Sequence, residues 1–183
     1  GLAPTGGYIV GRQDVIDRVS YRLTAPGIGR EVGSYAGSYQ PFYQGLFLAP
    51  HVVAQAVRTS VLAAAVCEAL GMRSTPAPDD RRTDIIQALE LGTPERLIAF
   101  CQGIQMASPI DSMALPEPWD MPGYQHQVIM AAGTFVSGAS IELSADAPMR
   151  EPYTAFLQGG LTYSHGKLAL IRTFEYMQKK GLL

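Results

Sequence analysis

Two strand-like runs stand close together in this chain, Gln127-Val-Ile-Met-Ala-Ala-Gly-Thr-Phe135 and Ala139-Ser-Ile-Glu-Leu-Ser-Ala145. Only Val136-Ser-Gly138 separates them, and short apolar runs joined by a glycine-containing link are typical of a hairpin. Three further runs are predicted to be strands by their apolar content: Tyr8–Val10, Thr83–Leu91 and Tyr153–Leu157. From the four runs that follow residue 80 we expect an antiparallel or mixed sheet of about four strands.

Four helices are predicted around these strands. Apolar residues at three- and four-residue spacing indicate a helix over Gln13–Leu23, and Pro50 suits the first turn of a long alanine-rich helix that ends near Leu70. Thr93 before Pro94 is a typical helix start, with the helix continuing to Met106. The last helix is predicted from about Ser164 to Lys180. Helices and strands in this order indicate an α+β fold, a sheet backed by helices.

The composition excludes several classes of function. The 183 residues carry a net charge of −2, and no cluster of lysine and arginine offers the electrostatic footprint that nucleic acid requires. Gln55, Arg58 and Glu68 interrupt the longest apolar stretch, so we predict a globular helix there and no membrane partner. Without the pattern of a signal peptide, the cytoplasm is the expected location.

The metal-ligating residue types are scattered. Cys67 and Cys101 each stand alone among apolar neighbours and are interpreted as buried thiols. His51, His126 and His165 show none of the close spacings that metal sites use. No metal site is predicted.

Three segments contain residue patterns that bear on function. Gly27-Ile-Gly-Arg-Glu-Val-Gly33 has the wrong glycine spacing for a dinucleotide loop, and no strand precedes it. The proline-fixed run Pro116–Tyr124 suits the rim of an active site or of a subunit interface, and equally a packed structural loop anchored by Trp119. Arg150, between two prolines, suits capture of a carboxylate, although a solvated arginine has the same pattern.

A set of longer motifs carries a family resemblance. The set is Gly-Leu-Ala-Pro-Thr-Gly-Gly-Tyr (1–8), Arg22-Leu-Thr-Ala-Pro-Gly-Ile-Gly, Phe42-Tyr-Gln-Gly-Leu-Phe-Leu-Ala-Pro-His, Arg82-Thr-Asp-Ile-Ile-Gln-Ala, Phe100-Cys-Gln-Gly-Ile-Gln, Pro116-Glu-Pro-Trp-Asp-Met-Pro-Gly-Tyr, Met130-Ala-Ala-Gly-Thr-Phe, Ile141-Glu-Leu-Ser-Ala-Asp-Ala-Pro and Leu157-Gln-Gly-Gly-Leu-Thr-Tyr. Together these motifs resemble the methionine gamma-lyase-like proteins, often called aluminium-resistance proteins. Because the motifs are long, ordered and spread over nearly the whole chain, the resemblance is specific.

The resemblance implies a fold-type-I enzyme that uses pyridoxal 5′-phosphate (PLP) to break a carbon–sulfur bond in a methionine- or cystathionine-like amino acid. Residues 1–45 would be the tail of the large PLP-binding domain and a connector, and residues 46–183 the long linking helix and the C-terminal small domain. The family's cofactor lysine would precede Gly1, so the chain would be an incomplete enzyme with no catalytic residue of its own. Its expected partners are the N-terminal PLP-binding part, an amino-acid substrate and further copies in a homo-oligomer.

The resemblance also implies site residues. Arg150 ends the family's Ser-Ala-Asp-Ala-Pro-x-Arg segment and is expected to bind the substrate α-carboxylate. Gly133 and Thr134 are expected to bring backbone amides to the same carboxylate. Gly6, Gly7 and Tyr8 are expected near the cofactor. More distant PLP lyases carry their arginine within the following strand, where this chain has Phe156 and Leu157, so that placement stays open.

A second interpretation comes from another functional class. The chain would then be a non-catalytic module that keeps the small-domain fold for binding or oligomerisation. The apolar surface that a missing large domain would leave exposed, with Leu46, Phe47 and Leu48 as candidates, argues against this alternative, because such a patch usually requires a partner.

Overall fold

The computed structural model describes residues 8–23, 27–31, 33 and 35–183. The chain forms two compact units that divide between Leu48 and Ala49. In the first unit, helix α1 spans Gln13–Leu23, as the spacing of its apolar residues predicts. The expected strand at Tyr8–Val10 is absent, because these residues have no regular structure.

Helix α2 spans Gln40–Ala69 and begins ten residues earlier than predicted. Pro50 lies inside it rather than in its first turn. The helix starts at Gln40 because the hydroxyl of Ser38 accepts the Gln40 amide at 3.2 Å, an N-terminal capping contact that comes well before the proline. By length and composition alone α2 is apolar enough to cross a membrane, a property that core helices of water-soluble proteins share.

The second unit contains one five-stranded sheet in which all neighbouring strands are antiparallel. Its order is β1-β2-β5-β4-β3. The strands are β1 Arg73–Thr75, β2 Gln87–Glu90, β3 Val128–Ala131, β4 Ser144–Pro148 and β5 Thr154–Gln158. The fold is therefore α+β, as predicted, with one strand more than expected.

The predicted strand at Ala139–Ala145 is wrong in its first half. Residues Ser140–Glu142 form a short 3₁₀ helix, and β4 begins only at Ser144. The carboxylate of Glu142 accepts the backbone amides of Phe135 and Val136, which ties the connection into a loop. The two strands pair as expected, but twelve residues join them instead of a three-residue turn.

Helix α3, Pro94–Met106, packs on one face of the sheet, and helix α4, Tyr163–Lys179, packs on α3. Helix α3 starts with Thr93, whose side chain accepts the Arg96 amide at 3.3 Å and so confirms the predicted cap. The buried core between helices and sheet includes Leu89, Leu97, Phe100, Ile104, Ile129, Ala145, Ala155, Leu157 and Met177.

Because side chains alternate across a strand, the other face of the sheet carries the intervening residues. In β4 the buried residues Ala145 and Ala147 belong to the core, whereas Asp146 and Pro148 are half-buried on the opposite side. Within the second unit, helix α3 packs on the first of these faces, and a cleft lies open on the second face. It is the place where the fold leaves charged and aromatic side chains accessible.

Candidate functional site

A row of three side chains forms the floor of a cleft on the open face of the sheet. Met130 of β3 lies opposite Asp146 of β4, which in turn lies opposite Phe156 of β5. Antiparallel partners sit about 5 Å apart, so the three side chains are direct neighbours. The cleft has a volume of about 540 Å³, which is within the range of small-molecule sites.

Residues 121–126 form one wall of the cleft, and Pro148 and Arg150 form its rim. The wall belongs to the proline-rich loop, with Tyr124 and His126 among its lining residues. The two alternatives for this loop were the border of a site and a packed structural loop. The structure favours the border of a site.

The loop is held by backbone contacts and not by a buried tryptophan. The Trp119 side chain is 47% exposed, while its backbone exchanges two hydrogen bonds of 3.0 Å with Val128. The Gln102 side chain donates to the Pro116 carbonyl at 3.2 Å and accepts the Tyr176 hydroxyl at 2.9 Å. Helix α3 therefore positions the loop that walls the cleft.

Asp146 is the charged residue of the floor. Its carboxylate makes no hydrogen bond or ion pair with any residue in the described part of the chain. Burial of this carboxylate beside Met130 and Phe156 raises its pKa, because an apolar surrounding disfavours the charged form. The floor thus holds a carboxylate that nothing in the described chain neutralises.

Arg150 lies on a tight turn directly after β4. Its amide donates to the Pro148 carbonyl at 2.8 Å, and its carbonyl accepts the Tyr153 amide at 2.7 Å. The Met149 amide donates to the Gln127 carbonyl at 2.7 Å, which fixes the turn beside the start of β3. The guanidinium is exposed, and none of the ion pairs among the described residues includes it. An arginine with a fixed backbone and free donors is suited to bind a carboxylate.

Gly133 and Thr134 lie at the other end of β3. Gln127 lies beside the Arg150 turn, and Gly133 comes six residues later. At roughly 3.3 Å per residue of extended chain, the two residues are about 20 Å apart. The Gly133 carbonyl accepts the Ile110 amide at 3.4 Å, and the Thr134 hydroxyl donates to the Val136 carbonyl at 2.8 Å. The structure does not bring the predicted amide donors to the same point as Arg150.

Of the three residues expected near the cofactor, the structure describes Tyr8 alone. Gly6 and Gly7 lie outside the described residues, and Tyr8, 81% exposed, belongs to the first unit. The three lysines of the sequence, Lys167, Lys179 and Lys180, are exposed in or next to α4, on the helix-covered side of the sheet. The described residues of the cleft therefore offer no lysine for PLP, and we derive no chemical step through the cofactor.

The thiols and histidines form no further site in the described part of the chain. Both cysteines are free and buried, as predicted, and burial raises the pKa of Cys67 and of Cys101 to about 12. His165 Nε2 contacts the Ala107 carbonyl at 2.9 Å, a structural bond between α4 and the end of α3. No three histidine, cysteine or carboxylate side chains of the described residues are grouped as a metal would require.

Asp146 is a residue of the cleft that the sequence did not predict to be there. The signal was present in Ser144-Ala-Asp-Ala-Pro148, where a carboxylate interrupts small residues in a strand. The strand register with Met130 and Phe156, which makes this carboxylate the floor of a cleft, is not encoded locally.

Fold and site together define an α+β protein with helices on one face of an antiparallel sheet and a charged cleft on the other. The methionine gamma-lyase family matches residues 1–178, and the chain belongs to this family. The resemblance seen in the sequence motifs is thereby confirmed at the level of the family.

Several proteins share most of this chain. The "Uncharacterized protein YnbB" of Bacillus subtilis is 55% identical over all 183 residues, which cover 44% of that relative. A "putative cystathionine beta-lyase involved in aluminum resistance" from Listeria monocytogenes has a TM-score of 0.88 and 50% identity, over 96% of this chain and 44% of the other. A "carbon-sulfur lyase involved in aluminum resistance" from Clostridium novyi has a TM-score of 0.85 and 52% identity, over 95% and 40%. The chain thus spans less than half the length of these relatives.

Proposed function

We propose that the chain supplies the substrate-carboxylate site and the closing wall of a PLP-dependent carbon–sulfur lyase that acts on a methionine- or cystathionine-like amino acid. The observation that carries this proposal is Arg150, an unpaired guanidinium held on a rigid turn at the rim of the cleft. Membership of the methionine gamma-lyase family and the descriptions of the similar structures support the class of reaction.

The role of Arg150 follows from its chemistry. A guanidinium presents parallel N–H donors that match both oxygens of a carboxylate, so it fixes the orientation of the substrate as well as its position. Met130 and Phe156 of the floor offer apolar, polarisable contacts to a thioether. The cleft therefore combines a cationic anchor at its rim with apolar side chains suited to the sulfur-containing side chain.

Under this proposal the cofactor lysine comes from a PLP-binding part other than the described cleft, because all three lysines of this chain lie in or next to α4. PLP, when bound to that PLP-binding part, supplies the electron sink that cleavage of the carbon–sulfur bond needs. The cleft residues orient the substrate and exclude water from it. Additional copies of the chain in a homo-oligomer and a cytoplasmic location belong to the same proposal.

Binding of L-methionine to the purified chain tests the carboxylate site by isothermal titration calorimetry. L-Methioninamide, which lacks the carboxylate, should bind at least about tenfold more weakly, since a hydrogen-bonded ion pair contributes about 1.5–3 kcal/mol. Arg150→Ala should remove this preference. The matched control Arg172→Ala deletes an exposed arginine of α4, on the far side of the sheet, and should retain it. Equal binding of both ligands by the unmodified chain would refute the carboxylate site.

The PLP-binding part is tested by the denaturing intact mass of the protein isolated from its own cells. The proposal predicts a polypeptide that contains an upstream lysine and carries a PLP mass that hydrolysis removes. A single species without cofactor would contradict the lyase role.

The alternative is a non-catalytic binding or oligomerisation module, and the first half of α2 does not separate it from the main proposal, because both require a protein contact there. Leu46, Phe47 and Leu48 are exposed by 59%, 84% and 46%. An apolar surface of this kind fits a protein contact. The single cofactor-free species in the mass measurement is the result that this alternative predicts.

A further inference from the structure

The floor of the cleft carries the Asp146 carboxylate, which has no role in the binding of a substrate carboxylate by Arg150. Asp146 lies between Met130 and Phe156 across the three strands, and its side chain points away from the core that Ala145 and Ala147 enter. Arg150 is on the turn beyond the end of β4. The two opposite charges therefore mark different parts of one cleft, the floor and the rim.

A half-buried carboxylate without a partner is unfavourable, because it loses hydration and gains no hydrogen bond in return. Two exposed carboxylates of the first unit have partners: Arg12 binds Asp14 at 2.8 Å, and Arg30 binds Asp17 at 3.0 Å. Asp146 lacks one among the described residues, and burial shifts its pKa upward. A cation that entered the cleft would remove this cost.

The neighbours of Asp146 limit what this cation can be. Met130 and Phe156 are apolar, so a compact ammonium on an apolar stem fits between them better than a hydrated metal ion. The wall contributes Tyr124, an aromatic side chain of the kind that attracts such a cation.

Resting on the proposed function, we propose that Asp146 binds a second ammonium group of the substrate, distant from the carboxylate that Arg150 holds. Methionine has no such group, because its side chain ends in a methyl. The substrate class is then a thioether that joins two amino acids, as cystathionine does. Asp146 is a specificity-determining residue in this arrangement, and Arg150 is the general carboxylate anchor.

Two ligands that differ only in the second amino group provide the test. L-Cystathionine carries it, and S-(2-carboxyethyl)-L-homocysteine has hydrogen in its place with the distal carboxylate retained. Calorimetric titration of the purified chain should give at least about tenfold tighter binding of cystathionine, from a charge-assisted pair. Asp146→Asn should abolish this difference and leave the affinity for the other ligand unchanged within about twofold.

Glu90→Gln is the matched control, since Glu90 lies on the same sheet but outside the cleft and pairs with Arg73 at 3.6 Å. It should keep the full preference for cystathionine. If Asp146→Asn still binds cystathionine more tightly than the other ligand, the inference is overturned. It is also overturned if Asp146→Asn loses the same affinity for both ligands, because Asp146 would then bind the ammonium that both ligands share.

The outcome for Arg150 separates this inference from the proposed function. Arg150→Ala weakens both ligands if the carboxylate site exists. If Arg150→Ala weakens both ligands and Asp146→Asn changes neither, only the second-ammonium site is wrong. Failure of both ligands to bind the unmodified chain would remove both proposals.

Discussion

Gly133 illustrates how a residue expected at a binding site is explained by packing. A Cβ atom at this position would lie 1.9 Å from the Ile110 carbonyl oxygen and 2.6 Å from the Ser108 Cβ. The first distance is more than 1 Å shorter than side chains tolerate, and the neighbouring atom is backbone that cannot rotate away. Gly133→Ala must therefore push the loop off the end of α3.

The expected cost follows from two contributions. Overpacking of this severity costs about 1–3 kcal/mol, and loss of the 3.4 Å hydrogen bond from Ile110 to Gly133 adds about 0.5–1 kcal/mol. We expect Gly133→Ala to lower the free energy of unfolding by about 3 kcal/mol, which corresponds to a fall in Tm of about 6–12 °C for a chain of this length. Urea unfolding followed by circular dichroism measures this difference.

Gly138→Ala in the same loop is the control. Gly138 has open space around its Cβ position but a φ of 81°, so alanine there meets only the conformational penalty of about 1–2 kcal/mol. Gly133→Ala should therefore be clearly the more destabilising of the two. Equal costs, or a Gly133→Ala variant as stable as the unmodified chain, would refute the steric explanation.

Three shorter predictions concern the thiols, the floor of the cleft and a helix cap. Because burial raises the pKa of Cys67 and Cys101 to about 12, neither should react with a disulfide reagent at pH 8 until denaturant unfolds the chain; rapid native labelling would contradict their burial. Because the pKa of Asp146 is raised in the folded chain, the free energy of unfolding falls as the pH rises through that pKa. Asp146→Asn should therefore have a higher free energy of unfolding than the unmodified chain at pH 7 and the same one below pH 3. Urea titrations at both pH values would measure this. Thr93→Ala removes the acceptor of the Arg96 amide and should cost about 1 kcal/mol, whereas Thr93→Ser should restore most of it in the same assay.

Much of the fold was predictable because its signals are local. The bounds of α1 followed from apolar spacing, and the start of α3 followed from Thr93 and Pro94. Pro50 was misleading, because a proline suits a first helical turn but does not prevent a helix that Ser38 has already capped. The preference of a proline for the first turn therefore marks the start of a helix only when no capping residue earlier in the chain has already started it.

The strands were predicted less well, because tertiary contacts fix them. Residues 139–143 have the apolar content of a strand, yet Glu142 binds the amides of Phe135 and Val136 and holds the segment as a loop. The neighbours of Asp146 depend on strand register, which the local sequence does not contain. For the same reason Gly133 and Arg150 appeared compatible with one carboxylate in the sequence although they lie at opposite ends of β3.

The position at which a substrate carboxylate binds decides whether Arg150 is its anchor. A crystal structure of the chain with L-methionine would show this without reference to turnover. We predict the carboxylate within hydrogen-bond distance of the Arg150 guanidinium and the thioether against Met130 and Phe156. A carboxylate bound away from Arg150, for example at the backbone of β5 near Leu157, would contradict the assignment of this cleft.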